Sequence, residues 1–146
     1  METNLNQSEK RLDSIAFPGH YYEKLEKIGE GGMGTVVLVV LRESRTGRYR
    51  GIYACKIIYE HFLKKKNEEM RRKNLAREIE LLKAANKKTC VTLVDLIVDE
   101  ERTILIQDYA NGFSLNRLLG ERKAPLRESE IQKIVKKLTA GLDDIY

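Results

Sequence analysis

Gly29-Glu30-Gly31-Gly32-Met33-Gly34-Thr35-Val36 fits the pattern G-x-G-x-x-G-x-V. Glycines at this spacing let a loop pass close to phosphate oxygens with its backbone N–H groups pointing inward. Dinucleotide-binding folds share the pattern, but in them a helix follows the loop. Here Val36-Val37-Leu38-Val39-Val40 follows, a β-branched run, so the sequence predicts a strand over Thr35–Leu41. With Tyr22–Lys27 as the preceding strand, the loop becomes the tip of a hairpin. A glycine-rich turn that holds no ligand is the alternative for the loop by itself.

The next informative piece is Tyr53-Ala54-Cys55-Lys56-Ile57-Ile58. A lysine inside an apolar strand is costly without an anionic partner. Side chains alternate along a strand, so Ala54 and Lys56 share one face and Cys55 takes the other. A small residue two positions before a cation suits a flat base with a phosphate beyond it. An edge-strand lysine that blocks aggregation is the competing reading. Downstream, Leu75, Ile79 and Leu82 fall at helical spacing in a helix expected to end near Asn86, and Glu78 lies beside that stripe. Its carboxylate can reach a lysine on a neighbouring strand. An ordinary surface pairing with Arg77 or Lys83 is the alternative.

Further strands are predicted at Gly51–Ile58, Val91–Val98 and Thr103–Tyr109, with a turn at Arg45-Thr46-Gly47. Ser114 is placed to cap a short helix reaching Leu119. Pro125 opens a last helix whose Ile131, Ile134, Val135, Leu138 and Leu142 share one stripe.

These pieces together resemble the protein kinase family, specifically the start of a serine/threonine-type catalytic domain. The resemblance covers about Tyr21 to Tyr146 and rests on four matches: the glycine loop, the Ala54-Cys55-Lys56 strand, the Glu78 helix, and Gln107-Asp108-Tyr109-Ala110-Asn111-Gly112, which looks like a kinase hinge. It implies an α+β fold: a kinase-like N-lobe with a five-stranded antiparallel sheet and one long helix, followed by two helices of an incomplete C-lobe. The implied division is a polar N-terminal extension over 1–20, an ATP-binding N-lobe over 21–109, and a hinge with the first C-lobe helices over 110–146.

The resemblance also implies roles. The loop residues Gly29, Glu30, Gly31, Gly32, Met33 and Gly34 would cover the ATP phosphates, and Lys56 would contact them while pairing with Glu78. Ile28, Val36 and Ala54 would roof the adenine, with Gln107 at the gatekeeper place. The Asp108 carbonyl and the Ala110 N–H would meet the base edge, and Ser114 the ribose. Leu82 would join the apolar contacts that align the two lobes.

The sequence departs from the family pattern in four ways. The link between Val36 and Lys56 is long, so its hairpin should project. Met33 stands at the loop apex. Ala85–Cys90 lacks the usual His-Pro-Asn-Ile flavour. No H-R-D-L-x-x-x-N, D-F-G or A-P-E is present, and Gly141–Tyr146 looks like the end of the helix before the catalytic loop. The base and metal-holding groups are therefore expected to be missing from this chain, which alone should have no turnover, and Mg2+ is expected only with the full-length enzyme. Protein hydroxyls would be the full-length substrate. With little to pack against, the stripe on helix 128–146 is expected to promote self-association.

Composition bounds the alternatives. The 146 residues are 42% hydrophobic and 34% charged with two prolines, which excludes collagen-like, mucin-like and wholly disordered chains. The longest apolar run, Val36–Leu41, is far short of the ~20 residues of a membrane helix, so no membrane association is expected. Met1–Arg11 is polar, without the apolar stretch of a secretory signal, and two cysteines make no disulfide framework. An intracellular, cytoplasmic setting is expected, with the nucleus left open. The net charge of +5 is concentrated between His61 and Cys90, where ten Lys or Arg face four Glu. This reads first as a solvated helix face and second as a docking patch. Two competing functions follow: a short pseudokinase-like interaction module without turnover and, behind it, a basic nucleic-acid-binding domain.

Overall fold

The β-branched run after the glycine loop forms the centre of an antiparallel sheet. The computed structural model describes residues 10–31, 34–85, 87–112, 114–122 and 124–145. Among these residues six strands appear in chain order: β1 (Arg11–Asp13), β2 (His20–Glu30), β3 (Gly34–Glu43), β4 (Tyr49–Tyr59), β5 (Leu93–Val98) and β6 (Arg102–Asp108). Among the described residues four helices accompany them: α1 (Glu60–Leu63), α2 (Glu68–Ala84), α3 (Leu115–Glu121) and α4 (Glu128–Ile145). The sheet order is β1-β2-β3-β4-β6-β5, and every neighbouring pair is antiparallel.

The five expected strands are present, joined by a sixth. β1 lies inside the segment read from sequence as a polar extension over 1–20, where Leu12 pairs with Tyr22. A three-residue strand with one inward apolar side chain carries too little periodicity to stand out. The expected hairpin between Val36 and Lys56 is long: β3 and β4 have 10 and 11 residues, joined through a turn with Gly47 at φ 71°. The long helix ends at Ala84, while Asn86 lies outside the described residues.

The two faces of the sheet bury different cores. On one face Tyr22, Val39, Leu41, Cys55, Ile57, Ile104 and Ile106 pack together with Leu12. On the other, Ile58 and Leu105 meet Leu63 of α1 and Leu75 of α2, with Ile79 and Leu82 alongside. Strands with apolar residues on both faces read as continuous hydrophobic runs, which explains the unbroken Val36–Leu41 stretch. The sheet is strongly curled. The Tyr22 hydroxyl on β2 donates to the Asp95 carboxylate on β5 at 2.8 Å, although three strands separate them in the sheet order. Asp95, only 4% exposed, also accepts from Ser14 Oγ (2.7 Å), Ile15 N (3.0 Å) and Ala16 N (3.1 Å). This latch closes the curl around the first core.

Candidate functional site

Register places the polar residues of the site on one face. Val36 of β3 stands opposite Lys56 of β4, which stands opposite Leu105 of β6. One step along, Leu38, Ala54 and Gln107 form the parallel row. Directly paired residues point the same way, so Val36, Ala54, Lys56 and Gln107 share the face on which α2 packs. Cys55 points to the opposite core, as alternation requires, and burial there pushes its thiol up to about 12.

Lys56 Nζ donates to Glu78 Oε1 at 2.8 Å. The ion pair forms because α2 presses Leu75, Ile79 and Leu82 against Ile58 and Leu105, bringing Glu78 over β4. Neither Arg77 nor Lys83 claims that carboxylate. The pair is partly solvated, with side chains 28% and 35% exposed. The ammonium is thus less deeply enclosed than a lysine in an apolar strand suggests, and its remaining donors can reach an anion on the open side.

At the hairpin tip, Gly29 pairs with Val36 and Glu30 with Thr35, and Gly31 N donates to Gly34 O at 2.9 Å. The glycines differ in what surrounds them. A Cβ on Gly34 would lie 1.9 Å from the Ile57 carbonyl oxygen, so β3 and β4 can approach there only without a side chain. A Cβ on Gly31 would meet nothing within 4 Å. Gly31 is therefore not required by packing, whereas Gly34 is. Glu30 is exposed and paired with Lys27 at 3.0 Å. Gly32 and Met33 lie outside the described residues.

Ile28 is 42% exposed on β2 next to the loop, while Val36 and Ala54 are half-buried. Beyond Gln107 the chain leaves the sheet through Asp108, Tyr109 and Ala110, of which Ala110 is exposed. The Asp108 side chain is tied back to Thr92, whose N–H and Oγ1 both donate to Oδ2 at 2.9 and 2.6 Å. Sequence reasoning missed Thr92: it lies inside the predicted strand Val91–Val98, whereas the observed strand starts at Leu93, and its hydroxyl carries no signal of its own. Ser114 Oγ accepts from Arg117 N at 3.1 Å as the cap of α3, and keeps its own proton to donate.

At the foot of α2 an apolar cavity of ≈ 290 Å³ is lined by Glu78, Leu81, Leu82, Ala85, Cys90 and Val91 among others. Gly141 of α4 is buried close by, its carbonyl accepting from the Cys90 thiol at 3.7 Å. Along α4, Ile131, Val135, Leu138 and Leu142 are 46–59% exposed, whereas Ile134 is half-buried. Within the basic segment Arg72 bridges the carboxylates of Glu60 and Glu68, whereas Arg71 donates to the carbonyls of Phe62 and Lys66 and keeps its charge. Among the described residues no three His, Cys, Asp or Glu side chains gather into a cation site, and no helix is long and apolar enough to cross a membrane.

Comparison with known proteins bears on the family and the fold. The protein kinase domain family matches residues 22–146. Serine/threonine-protein kinase 36 of Pongo abelii is 30% identical over 122 residues, covering 83% of this chain and 8% of that protein. Serine/threonine-protein kinase SKM1 of Saccharomyces cerevisiae is 24% identical over 144 residues, covering 88% and 22%. Myosin light chain kinase A of Dictyostelium discoideum is 29% identical over 125 residues, covering 86% and 39%. The chain thus spans well under half the length of each of these relatives. Among solved structures, Rad53 1–466 in complex with AMP-PNP superposes with a TM-score of 0.68 at 21% identity, over 83% of this chain and 30% of that one. This last likeness shows the shared fold.

Proposed function

The chain belongs to the protein kinase family, and from that membership we propose that its sheet and α2 form the ATP-binding portion of a serine/threonine protein kinase. The observation that carries the reading is the 2.8 Å Lys56–Glu78 pair on the same face as Val36, Ala54 and Gln107, beside the glycine hairpin. Lys56 supplies positive charge to the phosphates and Glu78 holds it in place. Ile28, Val36 and Ala54 offer apolar surface to the adenine, and the backbone of Asp108 and Ala110 offers hydrogen bonds to its edge. Gly31, with open space around it, allows the hairpin backbone to approach the phosphates. The serine/threonine preference rests on the names of the relatives.

This polypeptide by itself is not expected to transfer phosphate. Phosphoryl transfer depends on positioning and charge stabilisation by a base and metal-holding side chains, and the sequence contains no H-R-D, D-F-G or A-P-E. Titration with ATP tests the reading: binding by the wild-type chain, lost in Lys56→Met and weakened in Gly31→Asp, is the expected result. Binding unchanged in Lys56→Met would overturn it. Phosphorylation of a protein substrate by a sequence-verified sample of this chain would overturn the inactivity.

A second reading, an interaction module without turnover, is favoured by the exposed Ile131, Val135, Leu138 and Leu142. The occupant proposed for that stripe is a second copy of the chain. The pairing of Arg72 with Glu60 and Glu68 weighs against a nucleic-acid surface on α2.

A further inference from the structure

Asp108 makes two contacts with Thr92 through its side chain and a third through its backbone. Thr92 N and Thr92 Oγ1 donate to Oδ2 at 2.9 and 2.6 Å, and Asp108 N donates back to Thr92 O at 3.2 Å. The regular β5–β6 ladder starts with Leu93 opposite Gln107. The clasp therefore extends the pairing by one residue, at the point where the chain leaves β6. Register fixes the direction of the side chain. Gln107 is paired with Ala54 on the Lys56 face, whereas Asp108 is paired with Tyr53, on the opposite face. The carboxylate thus points away from the candidate nucleotide face and can influence a bound base only through its own backbone.

We infer that Asp108 is a positioning residue: its carboxylate, clasped to Thr92, fixes the exit from β6 so that the backbone which follows is presented to a purine base and distinguishes a 6-amino from a 6-oxo group. A backbone carbonyl held in place accepts from the amino group of adenine and repels the oxygen of guanine, and discrimination of this kind weakens when the acceptor is free to turn away. Thr92 is the second half of the device. Its amide and hydroxyl converge on a single oxygen, and charge-assisted hydrogen bonds of this type are the stronger ones. The inference rests on the ATP-binding reading above.

The test measures the affinities of the full 146-residue chain for ATP and GTP by calorimetry, alongside urea unfolding. Asp108→Ala and Thr92→Val are expected to lower ATP affinity by about threefold to tenfold, the effect of losing one or two hydrogen bonds, and to narrow the ATP-to-GTP ratio. The double variant should lose no more than the worse single one. Thr92→Ser, which restores the hydroxyl, should bind like the wild type. Thr92→Val removes only a hydroxyl, so it keeps the test informative if Asp108→Ala fails to fold. Two results would overturn the inference while leaving the ATP-binding reading intact: clasp variants that bind ATP and GTP as the wild type does, or variants that lose both equally. A wild-type chain that binds neither nucleotide would overturn the reading first, and the inference with it.

Discussion

Gly34 and Gly31 sit in one motif but answer to different constraints, and substitution separates them. The Cβ of Gly34→Ala would fall 1.9 Å from a backbone oxygen of β4, which no side-chain adjustment relieves. That variant should be destabilised by about 1–3 kcal/mol or more in urea unfolding, by overpacking. Gly31→Ala enters open space and should stay within about 0.5 kcal/mol of the wild type. Equal losses at the two positions would contradict this division. Cys55 gives a second residue-level outcome. Its thiol is pushed up to about 12 by burial, against about 8.5 in an unfolded chain. The folded state therefore keeps a proton that the unfolded state gives up. The stabilisation is fully present below about pH 8.5 and is lost as pH rises toward 12. Burial raises the Tyr22 hydroxyl as well, so its contribution fades at still higher pH. Urea midpoints should fall through this alkaline window, and less steeply in Cys55→Ala. In the native chain at neutral pH a thiol reagent should modify the half-exposed Cys90, with Cys55 reacting only on unfolding.

Between elements, the Asp95 latch is the feature with most at stake. Four donors from Ser14, Ile15, Ala16 and Tyr22 converge on one buried carboxylate. Asp95→Ala would leave two hydroxyls and two amides without that acceptor, so a loss of about 2–4 kcal/mol is expected by chemical denaturation. Asp95→Asn, which keeps one good acceptor, should fall between. A fully stable Asp95→Ala would mean that the curl of the sheet closes without the latch. None of this was legible in the sequence: Ser14 and Asp95 are 81 residues apart, and nothing local marks an aspartate in Leu93–Val98 as buried. The elements that sequence did reveal are those whose pattern is set by their own packing. The Val36–Leu41 run, the Leu75/Ile79/Leu82 stripe and the Ser114 cap are all found in place. At the site, Lys56 and Glu78 were legible because an unpaired charge in an apolar strand requires a partner. The same logic could not find Thr92, whose hydroxyl is satisfiable by water in any loop. β1 was missed because its only inward residue, Leu12, contributes no period.

At the scale of the whole molecule, the balance is between a well-filled sheet and an apolar helix face left open. Ile131, Val135, Leu138 and Leu142 lie on one side of α4, each about half exposed, while Gly141 touches Cys90. Burying four such side chains against another copy contributes roughly 1 kcal/mol or more each, because each is already partly covered. The net charge of +5 opposes that association at long range. These two terms respond oppositely to salt, which screens the repulsion and leaves the apolar attraction intact. Sedimentation should therefore show a weight-average mass that rises with protein concentration, and rises more steeply at higher ionic strength. Leu138→Lys should return the chain to a monomer, and at protein concentrations where the wild type is itself monomeric it should leave the unfolding midpoint unchanged, because Leu138 is 59% exposed and lies outside both sheet cores. Association that weakens with salt would place the contact on charged surfaces instead, and a concentration-independent monomer would overturn self-association through the α4 face.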